Sequence, residues 1–199
     1  MSSRMSPIAP PDATAAEFRE PPPWRLGRSI VLVGLMGAGK TSIGKRLARA
    51  LGAAFSDADE EIVTAAGLSI PDIFALYGEA RFRELERRVV ARLLEERPMV
   101  LALGGGAFID AGTREKVAAR AVSVWLRADL ETLLTRTSRK KGTRPLLESG
   151  DPREILAGLM EKRHPIYALA DYAIDTQCEP HESVVARIMA VVEPAARLA

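Results

Sequence analysis

The stretch GLMGAGKTSIGK, residues 34–45, sets Gly34, Gly39, Lys40 and Thr41 at the spacing G-x-x-x-x-G-K-[ST] of a phosphate-binding loop. Glycines there let the backbone wrap tightly, so that successive N–H groups point inward at phosphate oxygens. The helix that follows adds the positive end of its dipole. Lys40 can then reach the terminal phosphates of a nucleoside triphosphate, and the Thr41 hydroxyl can ligate Mg²⁺. A glycine-rich turn with a chance lysine is the plainer alternative. It is disfavoured because the loop follows the apolar run SIVLVG and opens a helical pattern, the context the motif requires. The acceptor stays open, since GTPases, ATP-driven motors and small-molecule kinases share this loop.

Candidates for the acceptor side lie downstream. FSDADEEI sets Asp57 and Asp59 two apart at the expected C-terminal end of a strand, where parallel sheets bind ligands. In an extended chain i and i+2 face one way, so the two carboxylates could serve one metal and one substrate hydroxyl. An acidic helix start without further role is an equal alternative. GEARFRELE puts Arg81, Arg83, Arg87 and Arg88 on one amphipathic helix, most of them expected on a solvated face with Glu84 and Glu86. One arginine turned inward would suit a planar carboxylate. Three consecutive glycines, Gly104, Gly105 and Gly106, imply close approach of backbone to a ligand. KKGTRPLL carries Lys140, Lys141 and Arg144 in a basic loop able to close over phosphates. His164, beside Arg163 in EKRHPIY, is expected at a helix end rather than as a catalyst, because phosphoryl transfer needs little base.

These residues require a scaffold that gathers strand ends. Short apolar runs at 29–33, 53–57, 99–103, 121–126 and 171–176 read as strands. Helical periodicity fills 40–51, 60–66, 70–78, 79–96, 113–119, 130–137, 152–169 and 183–190. Alternation of this kind argues an α/β fold with a parallel sheet covered on both faces. The 199 residues, 47% of them apolar, are enough for one domain and an extension. The 28 basic residues nearly match the 26 acidic ones, which gives no sign of a nucleic-acid partner. Cys178 is the lone cysteine, so no internal disulfide forms and a reducing compartment is expected. No apolar run approaches the roughly 18 residues of a membrane span, and the N-terminus lacks the apolar core of a secretory signal. A cytoplasmic protein is expected. Residues 1–27 hold six prolines and few aliphatics, and are expected to form a disordered, proline-rich extension.

In chain order, GLMGAGKT, DAD, FRELE, LGGGA, RPLL and KRHPIY resemble the shikimate kinase family, over about residues 28–192. The resemblance implies a P-loop NTPase fold of the nucleoside-monophosphate-kinase type, with a five-stranded parallel sheet flanked by helices. It implies a kinase domain over 28–199, with a substrate-binding part near 58–88 and a lid near 138–151. The implied reaction moves the γ-phosphoryl of ATP to the 3-hydroxyl of shikimate, a step towards chorismate and the aromatic amino acids. Gly37, Ala38, Gly39, Lys40, Thr41 and Ser42 would wrap the ATP phosphates, with Thr41 and Asp57 serving Mg²⁺. Asp59 would orient the attacking hydroxyl or take its proton. Arg83 and Arg163 would clamp the shikimate carboxylate beside Gly104, Gly105 and Gly106, with the Gly105 N–H offered to substrate. Arg144 would neutralise charge on the transferring phosphoryl, Arg136 would stack on the adenine, and Pro180 or a neighbour would contact it. A monomer with no nucleic-acid or membrane partner is expected.

Two other functions fit parts of this pattern. A gluconate kinase would share the loop and fold class, but has no need of two arginines converging on a cyclic acid. A nucleotide-dependent regulatory module, docking through the proline-rich tail, has no reason to build a carboxylate clamp.

Overall fold

The structure, a computed structural model, describes residues 25–138, 150–177 and 179–197. The expectations for residues 1–24, for most of the lid with Lys140, Lys141 and Arg144, and for Cys178 lie outside the described residues.

Strands β1 (Ser29–Val33), β2 (Ala54–Asp57), β3 (Met99–Ala102), β4 (Ala121–Arg127) and β5 (Tyr172–Asp175) form one parallel sheet in the order β2-β3-β1-β4-β5. β1 is central, with Ile30 paired to Val100 on one side and Val122 on the other. Every residue of β1 is buried. Successive strand residues face opposite sides, so both faces of the sheet are covered. Helices α1 (Lys40–Leu51), α2 (Ala58–Ala66), α3 (Ile70–Glu95), α4 (Ala111–Arg120), α5 (Leu130–Ser138), α6 (Pro152–Tyr167) and α7 (His181–Ala196) supply that cover. Ile43, Leu47 and Leu51 make the buried stripe of α1, which packs beside α7, while α3 packs beside α4.

The chain reverses direction across the sheet at β1, and this places the loops after β1, β2 and β3 around one crevice at the strands' C-terminal ends. α3 bends at Gly78, whose φ of 76° and ψ of 171° lie outside helical space, so 70–77 and 79–95 are two helical segments. The residues before β1 are tied to the domain. Leu26 bridges Arg197, the Gly27 N–H donates to the Ala196 carbonyl at 2.8 Å, and Arg28 caps the Ala118 and Ala121 carbonyls at 2.9 and 2.7 Å. Among the described residues, no helix is long and apolar enough to cross a membrane.

Candidate active site

The loop between β1 and α1 ends at Gly39, which caps α1 in a left-handed conformation with φ 96°. No side chain caps this helix, so the first-turn N–H groups remain for an anion. Lys40 folds back along the loop, its Nζ donating to the Gly34 carbonyl at 2.8 Å and the Leu35 carbonyl at 3.1 Å. The Thr41 hydroxyl donates to Asp57 Oδ2 at 2.7 Å.

Asp57 and Asp59 come together differently from the extended arrangement expected of the sequence. Asp57 closes β2 and caps α2, its Oδ1 accepting the Asp59 backbone N–H at 3.1 Å, and Asp59 sits in the first helical turn. A capping aspartate two residues ahead of a helix acid is ordinary. Here it hands one carboxylate to Thr41 and turns the other into the crevice. Burial, then the Asp57 charge, pushes the Asp59 carboxyl above its usual range, while Lys40 and Arg83 pull it down. Asp59 therefore lies within electrostatic reach of both the phosphate loop and the α3 arginine.

On α3 the arginines part company. Arg81 pairs with Glu84 at the surface, and Arg87 stands 3.8 Å from Asp110. Arg83 turns inward, with Nη1 donating to Glu86 at 2.7 Å and Nη2 to Glu79 at 3.2 Å. Glu86 was expected among the solvated partners, yet is only 3% exposed. Its burial raises its carboxyl above the usual range, against the pull of Arg83 and Arg163. Arg83, half-buried, gains from the same pair and keeps its proton more firmly. Both groups shift upward, which favours the charged arginine but works against the charged carboxylate, because Glu86 carries the heavier loss of solvent.

The triple glycine, expected to mark close approach to a ligand, first makes room for the site's own side chains. A Cβ on Gly104 would meet Asp59 Oδ1 at 2.6 Å and Glu86 Oε1 at 2.9 Å. One on Gly106 would meet Arg83 Nη1 at 2.5 Å. The Gly105 carbonyl accepts from Arg163 Nη1 at 2.8 Å and from the Tyr167 hydroxyl.

Towards the far end of the crevice, Arg136 on α5 donates to the Gln177 carbonyl at 2.7 Å and reaches the Gly37 carbonyl at 3.4 Å, joining the phosphate loop to the segment after β5. Pro180, expected at the adenine, is exposed at the start of α7 and does not line the cleft. His181, the next residue, does line it. His164 lies in the last turn of α6 with its ring edge-on to Trp125 at 5.0 Å, as expected of a residue that packs.

One cleft of about 570 Å³ joins Gly37, Gly39, Lys40, Thr41 and Ser42 to Asp57, Asp59, Arg83, Gly104, Gly105, Gly106, Arg136 and Arg163. Ala38, buried at 1% exposure, stands behind the loop. Sequence reasoning missed the apolar wall of Ile70, Pro71, Phe74 and Phe82, where the Phe74 and Phe82 rings lie 4.6 Å apart. Ile70 and Phe74 stand at i and i+4 ahead of the Gly78 bend and Phe82 beyond it, a pattern that signals an apolar face but not that part of it borders a ligand.

The residues at the loop fit a phosphate-bound Mg²⁺. Among the described residues, no group of three His, Cys, Asp or Glu could hold a metal ion. Thr41 and Asp57 offer one hydroxyl and one carboxylate, the sparse set typical of a cation held mainly by phosphates and water.

The family model described as shikimate kinase matches residues 36–193. A shikimate kinase of Paramagnetospirillum magneticum is 58% identical over 165 residues, covering 83% of this chain and 84% of the relative. One from Mesorhizobium japonicum is 50% identical over 166 residues, covering 83% and 81%. A solved shikimate kinase of Acinetobacter baumannii, in complex with shikimate, is 39% identical with a TM-score of 0.80, covering 84% of this chain and 94% of that one.

Proposed function

The chain belongs to the shikimate kinase family, and on that footing we propose that it transfers the γ-phosphoryl group of ATP to the 3-hydroxyl of shikimate. As a family member it is an ATP-using phosphotransferase, and the family places it on the route to chorismate and the aromatic amino acids.

The observation that carries the acceptor assignment is the position of Asp59 between Lys40 and Arg83, in one cleft with Arg163 and the glycine loop. Lys40 and the α1 N–H groups hold the phosphates and preorganise positive charge where the transition state spreads negative charge. Arg83 and Arg163 grip the acid's carboxylate through planar guanidinium groups. A ring held at that end presents a hydroxyl to Asp59, which accepts its proton in a hydrogen bond and aims the oxygen at the γ-phosphorus. Thr41 and Asp57 would hold Mg²⁺, which when bound offsets charge on the phosphate oxygens. Arg136 lies on the nucleotide side of the cleft, and Arg144 in the lid is assigned to the transferring phosphoryl. The enzyme acts as a cytoplasmic monomer on small molecules, without a nucleic-acid or membrane partner.

ADP release measured across a panel of small hydroxy acids tests the assignment. Turnover should depend on shikimate and be absent with gluconate. ADP release unaffected by any acid would instead support a regulatory ATP-binding module.

A further inference from the structure

Arg163 and Tyr167 stand at i and i+4 on α6, so their side chains share one helix face. Both donate to the same oxygen, the Gly105 carbonyl. Two donors use both lone pairs of that oxygen and fix the plane of the Gly105–Gly106 peptide. Because a trans peptide points its N–H opposite its carbonyl, pinning the carbonyl to α6 turns the Gly106 N–H away from α6. Arg83 packs against Gly106, with Nη1 2.5 Å from where a Cβ would stand. The same peptide is therefore braced by one clamp arginine and overlaid by the other.

Tyr167 is 1% exposed, and its ring lies 6.0 Å from Trp125 and 6.4 Å from His164. Such burial would satisfy a phenylalanine equally well. The hydroxyl is the part that packing does not explain, and its partner is a wall of the cleft.

We infer that Tyr167 is a positioning residue for the acceptor, holding the glycine loop and Arg163 in the geometry that receives a carboxylate, while leaving the nucleotide side untouched. This rests on the acid-clamp reading of Arg83 and Arg163. One Nη1–H of Arg163 is committed to Gly105 and the guanidinium also hydrogen-bonds the Tyr167 hydroxyl, which still leaves part of its five-donor fork for the acid. Without the hydroxyl, the carbonyl keeps a single donor and the peptide can rotate, which loosens both clamp arginines together.

Tyr167→Phe keeps the ring and removes only the hydroxyl. Shikimate affinity is measured by calorimetry on the full chain, alongside KM for both substrates. The Kd and KM for shikimate should rise roughly three- to tenfold, the range for losing one neutral hydrogen bond, with the KM for ATP changed less than about twofold. His164→Ala serves as the control, since it loosens the same aromatic cluster without touching Gly105. It should lower the melting temperature and leave both KM values alone. An unchanged shikimate affinity in Tyr167→Phe overturns the inference, as does an equal rise in both KM values or an equal effect of His164→Ala. Wild-type enzyme that fails to turn over shikimate would overturn the acceptor reading itself; wild-type turnover with an indifferent Tyr167→Phe overturns this inference alone.

Discussion

The guanidinium of Arg83 occupies the place where a side chain on Gly106 would stand: a Cβ there would lie 2.5 Å from Nη1, 2.7 Å from Nη2 and 2.8 Å from Cζ. Gly106 has φ −107° and ψ −18°, a conformation open to any residue. Its need for glycine is therefore steric and belongs to Arg83.

Gly106→Ala should consequently displace Arg83 and spare the backbone. The KM for shikimate should rise about tenfold, as for one weakened charged hydrogen bond, with the melting temperature and the KM for ATP close to wild type. Steady-state kinetics with each substrate varied in turn checks this. An unchanged shikimate KM would remove Arg83 from the acid site.

Glu86 gives a test through pH. Its raised carboxyl pKa, due first to burial, means that it contributes stability below its ordinary value of 4.5 and loses that contribution as pH rises through the folded value. Glu86→Gln should therefore melt at or above wild type at about pH 7, with the two curves converging at about pH 4. Melting scans across that window decide the matter. A variant clearly less stable at neutral pH would show that the Arg83 ion pair outweighs the cost of burial.

Truncation tests the start of the domain. Leu26 packs against the core and Gly27 donates to Ala196, so removing residues 1–27 loses contacts that removing 1–24 keeps. Those contacts are worth about 1–2 kcal/mol, and the longer deletion should melt roughly 2–8 °C below the shorter one. Identical melting temperatures would place the boundary after Gly27.

Much of this arrangement was legible in the residues. The phosphate loop fixed the start of α1 at Lys40, because glycines, lysine and the helix dipole act within a few residues. The strands were readable as apolar runs for the same local reason. The fate of Glu86 was not: its partner Arg83 is local, at i−3, but helical spacing does not say that the glycine loop after β3 will cover that face. The Asp57–Asp59 pair was seen, but its geometry was misjudged by two residues of helix start, enough to change strand alternation into a cap. The glycine loop was recognised as a close approach. That the nearest approach is to Asp59, Glu86 and Arg83 needed the fold, which brings the loop after β3 against α2 and α3. The segment around Pro180 was named, but not His181 within it, because nothing in DTQCEPHES marks which residue turns towards the cleft.

The central claim is that Arg83 and Arg163 grip a carboxylate on the acceptor, remote from the reacting hydroxyl. Arg83→Lys keeps the charge and loses the planar two-donor fork. Measuring KM for shikimate and for ATP in this one variant tests the claim most directly. A charged hydrogen bond contributes about 1.5–3 kcal/mol, so the shikimate KM should rise roughly ten- to a hundredfold, with some loss of kcat and little change for ATP. Equal weakening of both substrates would assign Arg83 to the structure, and no change in either would contradict the clamp.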